Sequence, residues 1–148
     1  MKKLLSIVMV VFVSIGFFSC DPETAPPVSD DIREEIDRKW YCELNDGESV
    51  YNFESVITLD PDNDNQILIT NFNNQGSVAY AIVYDDYTIE LPKQTLEGTS
   101  TSVEGTADIN SDFTRISWDY QATDTEGAYN VIVTYTLSDI AKKLIVSL

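Results

Sequence analysis

From Trp40 onward the apolar residues change their spacing from near four to two, and that change commits the chain to β architecture. A period of two sends alternate side chains to opposite faces of an extended strand, so one face is buried and the other solvated. In residues 51–59, Tyr51, Phe53, Ile57 and Leu59 are apolar while Asn52, Glu54 and Thr58 are polar. Residues 115–120 repeat the scheme with Ile116, Trp118 and Tyr120, and residues 129–137 with Tyr129, Val131, Val133, Tyr135 and Leu137. Further strands near 40–44, 66–72, 77–84, 87–92 and 102–109 bring the number to about eight. Turns rich in Asp, Asn and Gly separate them at 60–65, 73–76, 85–86, 97–98, 110–112 and 124–127. The tail at 140–148, with Leu144, Ile145 and Val146 after two lysines, reads as a last strand. Short consecutive strands without a long crossover predict an all-β antiparallel meander of about eight strands, closed into a barrel that hides its edges. Such a barrel is filled by side chains or holds one small ligand.

Ahead of the strands, Ile32, Ile36 and Trp40 lie four apart, with acids in front and Arg38 and Lys39 behind. This predicts one short N-terminal helix over 30–40, capped by Ser29 or Asp30 and lying on a larger body. Residues 78–84 are apolar on both faces, which predicts that one outer face is covered by that helix or by a partner subunit. The chain begins with Lys2 and Lys3 and an apolar run from Leu4 to Phe18, too short for the roughly 20 residues of a membrane-spanning helix and typical of a secretory signal. Its end, Phe17-Phe18-Ser19-Cys20, resembles the lipobox of bacterial lipoproteins. The resemblance implies that Cys20 is lipidated, becomes the first residue of the mature chain and anchors it to a membrane. Residues 1–19 are then the signal peptide, 20–29 the lipidated cysteine and a tether with three prolines, and 30–148 the barrel domain.

Composition narrows the chemistry. The 148 residues include no histidine, so the Ser-His-Asp and Cys-His nucleophile systems and zinc sites using imidazole are excluded. Twenty-five acidic against 9 basic residues give a net charge of −16, which repels nucleic acid and anionic lipid and attracts cations or basic partners. Cys42 is the one thiol left after lipidation, so the mature chain forms no internal disulfide. It has no histidine to activate it and Glu43 beside it, and it reads as a buried, inert thiol. No cofactor is implied.

Three groups of residues are candidates for a site. Asp60, Asp62 and Asp64 alternate in one turn and could converge on Ca²⁺, although the same residues are what a β-turn prefers, and Asn65 stands where an EF-hand requires glycine. Glu54, Glu90, Glu104 and Asp119 lie within strands, and a pair of them facing across a groove would suit hydrolysis. Tyr51, Phe53, Tyr80, Trp118, Tyr120 and Tyr135 could line a ligand cavity or stack on sugar rings, or else form the core.

The succession of Asn71-Phe72-Asn73-Asn74-Gln75-Gly76, Ala81-Ile82-Val83-Tyr84, Thr88-Ile89-Glu90-Leu91-Pro92-Lys93-Gln94, Val103-Glu104-Gly105-Thr106-Ala107 and Ile116-Ser117-Trp118-Asp119-Tyr120 resembles the landmarks of small lipocalin-like, or calycin-like, lipoproteins of Bacteroidetes. That resemblance implies the barrel and the lipid anchor. The resulting expectation is a non-enzymatic cell-envelope protein on the outer membrane, periplasmic or surface-exposed. Its barrel would bind a small apolar or carbohydrate ligand, or another protein. A structural role, with a filled barrel acting through loops and an acidic surface, is the alternative, and carboxylate-based hydrolysis a third.

Overall fold

The computed structural model describes residues 31–137, so the expected signal, lipobox-like ending, tether, Ser29 or Asp30 cap and tail strand all lie outside the described residues. The elements run α1 (Ile32–Ile36), β1 (Lys39–Asn45), β2 (Val50–Leu59), β3 (Gln66–Phe72), β4 (Ser77–Val83), β5 (Thr88–Thr95), β6 (Ser102–Ile109), β7 (Arg115–Thr123) and β8 (Ala128–Leu137). All neighbouring strands are antiparallel and consecutive, and β1 pairs with β8 from Trp40↔Leu137 to Asn45↔Ile132, which closes the barrel. The expected meander of eight strands is therefore the fold, with one short helix before it.

Inward residues keep the period of two wherever the ladder is regular. In β7, Ile116, Trp118, Tyr120 and Ala122 are buried and their neighbours exposed. Two bulges break the phase. In β3 the register shifts between Thr70 and Phe72. Asn71 is the extra residue, with φ +55°, so burial passes from Ile67 and Ile69 to Phe72. Its side chain holds the kink by donating to the Glu54 carbonyl at 2.8 Å and accepting the Gly76 N–H at 2.8 Å.

In β5 the shift falls between Leu91 and Gln94. Extending the Ile82↔Glu90 pairing brings Tyr80 opposite Pro92, which has no N–H to give. The Gln94 side chain takes its place, accepting the Tyr80 N–H at 3.0 Å and donating to the Tyr80 carbonyl at 2.7 Å. Strand β5 thus runs past the proline at which the sequence pattern ended it.

The helix is shorter than the four-residue spacing predicts. It ends at Ile36, and Trp40 belongs to β1, although its indole N–H still donates to the Ile36 carbonyl at 3.1 Å. The observed cap is Asp31, whose carboxylate accepts the Arg33 N–H at 3.0 Å. Buried Ile36 turns toward the core, and α1 lies against β2. It does not cover the outer face of β4, two strands away, where Val78, Tyr80 and Tyr84 remain exposed. With strands alternating in direction, the barrel has two distinct ends. α1 and the turns after β2, β4 and β6 share one end; the turns after β1, β3, β5 and β7 form the other.

Candidate functional site

The interior is occupied by side chains. Phe53, Trp118, Tyr120 and Tyr135, all expected either to line a cavity or to form a core, are buried. The Phe72 ring meets Trp118 edge-on at 5.7 Å between centroids and Tyr120 at 5.2 Å, and Trp118 meets Tyr135 at 5.9 Å. Aromatic pairs at these separations favour one packed arrangement. Trp40, Ile57, Ile67, Ile69, Ile89 and Leu91 fill the remaining space. Burial raises the hydroxyl pKa of Tyr120 and of Tyr135, keeping both neutral. Among the described residues the Trp118 indole N–H finds no acceptor.

Two of the six aromatic candidates stand elsewhere. Tyr80 points outward, because Ala79 and Ala81 take the inward positions of β4. Residues 78–84 are apolar on both faces, and the small alanines mark the inward one, since a crowded aromatic core admits little else there. Tyr51 lies in the phase of the buried residues of β2 but near the strand's end, and is 45% exposed at the barrel mouth farther from α1.

At that mouth lies a cleft of about 220 Å³, walled by Tyr51, Tyr129 and Leu44 and floored by Asn73, with Asp46, Asn74 and Gln75 on its rim. Two turns and the adjoining ends of β1, β2 and β8 build it. After β1, the Asp46 carboxylate accepts the Glu48 N–H at 2.9 Å and the Ser49 N–H at 2.8 Å, which lowers its pKa. After β3, Asn73 and Asn74 both take left-handed backbone conformations, φ +54° and +55°. These cost little for asparagine but far more for most side chains. Asn73 is 8% exposed and accepts the Tyr120 hydroxyl at 2.7 Å, so the core fixes the floor of the cleft. Its side chain also hydrogen-bonds Tyr129, partly offsetting the upward shift that burial and Asp124 impose on that phenol.

A second groove of about 490 Å³ runs along the outside of β5 and β6, past Pro92, Lys93 and Glu104. At its side the Tyr84 hydroxyl donates to Glu90 at 2.5 Å, which raises the pKa of the phenol.

Asp60, Glu54 and Glu90 are engaged in local structure. Asp60 accepts the Asp62 N–H and the Asn63 side-chain amide, both at 2.9 Å. Arg33 reaches the same turn and donates to the Asn63 carbonyl at 3.1 Å, so a guanidinium faces the loop of Asp60, Asp62 and Asp64, for which Ca²⁺ and a plain β-turn are the two readings. Among the described residues no group of three or more His, Cys, Asp or Glu side chains is placed to hold a metal ion. Glu54 pairs with Lys39 at 2.6 Å; Glu54, Glu90, Glu104 and Asp119 are all exposed on the outer face. Cys42 is buried, and burial pushes its thiol up to about 12.

Asp46, Asn73, Asn74 and Gln75 form much of the cleft, and sequence reasoning picks out none of them as a site residue, whereas Tyr129 is one of the aromatic residues that could line a cavity. The available signal was three asparagines and a glutamine in residues 71–75, more amide groups than a hairpin turn needs. A scan against protein-family models finds no match for the chain, and a search of curated proteins finds none.

Proposed function

We propose that the chain is a lipid-anchored cell-envelope protein whose barrel is a rigid, non-catalytic binding module that meets its ligand at the surface. The packed interior carries this reading: with Trp118, Tyr120, Tyr135 and Phe72 in mutual contact, binding falls to the mouth and the outer face. The anchor rests on the lipobox-like ending at Cys20 and on the resemblance to lipoproteins of Bacteroidetes, which also favours the outer membrane. The layout of the barrel agrees with it. The described chain enters at Asp31, on the α1 end, while the cleft opens at the opposite end, so a tether to lipid holds the cleft away from the membrane.

Two measurements on the full-length chain test the reading. Fatty-acid labelling and membrane fractionation should both be lost in Cys20→Ala; membrane-bound, labelled C20A protein sinks the anchor. Titration with an apolar fluorophore should give no saturable quenching of Trp118 and Trp40, whereas stoichiometric quenching would mean that the barrel opens to an internal ligand. A protein partner is the second reading, carried by exposed Val78 and Tyr80 on β4 and Tyr84 just after it. Cross-linking in whole cells from a photoreactive residue at position 80 should then trap a specific adduct.

A further inference from the structure

We infer that the mouth cleft takes the terminal ring of a neutral saccharide, a ligand class for the surface-binding module proposed above and dependent on that reading. The size of the cleft sets the first limit. About 220 Å³ is below the roughly 300 Å³ at which drug-sized pockets begin, and so suits one sugar ring presented at the end of a longer chain.

The lining chemistry sets the second. Tyr51 and Tyr129 both line the cleft and supply aromatic surface, suited to the C–H faces of a pyranose, whose polar groups point outward around the ring edge. Asn74 and Gln75 each combine an amide donor with a carbonyl acceptor, Asp46 adds an acceptor-only carboxylate, and Asn73 is engaged with Tyr120 and Tyr129 beneath them. Vicinal hydroxyls, each donor and acceptor at once, match that mixed set. An ammonium group has donors only; it would use Asp46 and the amide carbonyls but leave the amide N–H groups of the cleft unmatched. An anionic sugar meets Asp46 and Asp124, both of which act on Tyr129 through their charge, within a chain of net charge −16.

The third limit is preorganisation. Asn73 is fixed by the Tyr120 hydroxyl and by its own buried position, and the Asp46 turn is tied by two N–H groups, so the floor and one rim need no ordering when a ligand arrives. The outer groove beside β5 lacks this, being edged by the long side chains of Lys93 and Glu104.

The test uses the full-length lipoprotein in lipid nanodiscs, free of sugar-based detergent. Maltotriose, cellotriose, mannotriose and N-acetylchitotriose are compared with a sialylated trisaccharide and with trilysine, by saturation-transfer NMR and calorimetry. At least one neutral trisaccharide should bind, with transfer strongest at its terminal ring. Tyr51→Ala, at an exposed position, should weaken it about tenfold or more while leaving the melting temperature unchanged, and Tyr84→Ala in the outer groove should bind as the parent does. Binding of trilysine alone, lost in Y51A, overturns the saccharide assignment and leaves the surface-binding module standing. Sugar binding that survives Y51A and is lost in Y84A moves the site to the outer groove and overturns the cleft. No binding by any of the four neutral probes overturns the inference, while the labelling of Cys20 reports on the anchor independently.

Discussion

Gly105 shows how closely the strands approach one another. It sits opposite Tyr120 in the β6–β7 ladder, and a Cβ added there would lie 2.4 Å from the Asp119 carbonyl oxygen and 2.4 Å from the Tyr120 Cβ. Neither atom is the free end of a flexible chain. Gly105→Ala should therefore destabilise the barrel by about 2–3 kcal/mol or more, read as a lower urea midpoint with an unchanged slope. Cys42 makes a different prediction. Its ordinary value of 9.0 is pushed up to about 12, chiefly by burial. The folded state therefore keeps the thiol neutral while the unfolded chain releases its proton. Stability from this group is full below pH 9 and is lost as pH rises from 9 toward 12, by on the order of 4 kcal/mol at most. Tyr120 and Tyr135, raised by the same cause, act in the same direction. Urea unfolding at pH 7.5 and 10.5 should show a marked fall in stability, and Cys42→Val should reduce the fall; a flat profile would mean that water reaches these groups.

Among the elements, regular strands were the legible part. β2, β7 and β8 follow their alternation because their ladders carry no bulge, and each apolar side chain on the inward phase adds burial worth about 1.5–3 kcal/mol when complete. What escaped were the places where a side chain stands in for backbone. A proline in a run argues against a paired strand, and nothing local to Pro92 reveals that Gln94, two residues on, will supply the missing donor. The bulge at Asn71 and the cleft floor at Asn73 were equally hidden, because asparagine in a turn is expected whatever else it does. Gln94→Ala removes both hydrogen bonds to Tyr80 and should cost about 1–2 kcal/mol. Hydrogen exchange should show its main effect at the Tyr80 amide, where the β4–β5 seam loses its bridge.

At the scale of the whole molecule, charge and closure oppose one another. The net charge of −16 works against compaction, while the closed sheet leaves no edge at which strands can peel away. Salt screens the first and leaves the second untouched, with a screening length near 8 Å at 0.15 M. Raising NaCl from 0.02 to 0.5 M should therefore lift the melting temperature by about 3–6 °C; a fall would indicate that the ion pairs Lys39–Glu54 and Arg33–Asp31 outweigh the general repulsion. Closure itself was predictable from the count of short strands and tight turns. The occupancy of the interior was not, because period-two tyrosines look the same whether they face a neighbour or a ligand.

An even number of strands returns the chain to the end from which it set out: Leu137 lies beside Trp40 in the closing ladder, close to α1. The barrel can therefore be circularly permuted without stretching it. A short linker would join the region after Leu137 to the region before Asp31, and new ends could be opened in the turn after β5. Such a permutant would keep the mouth cleft while moving both chain ends from the α1 end of the barrel to the end at which the cleft opens.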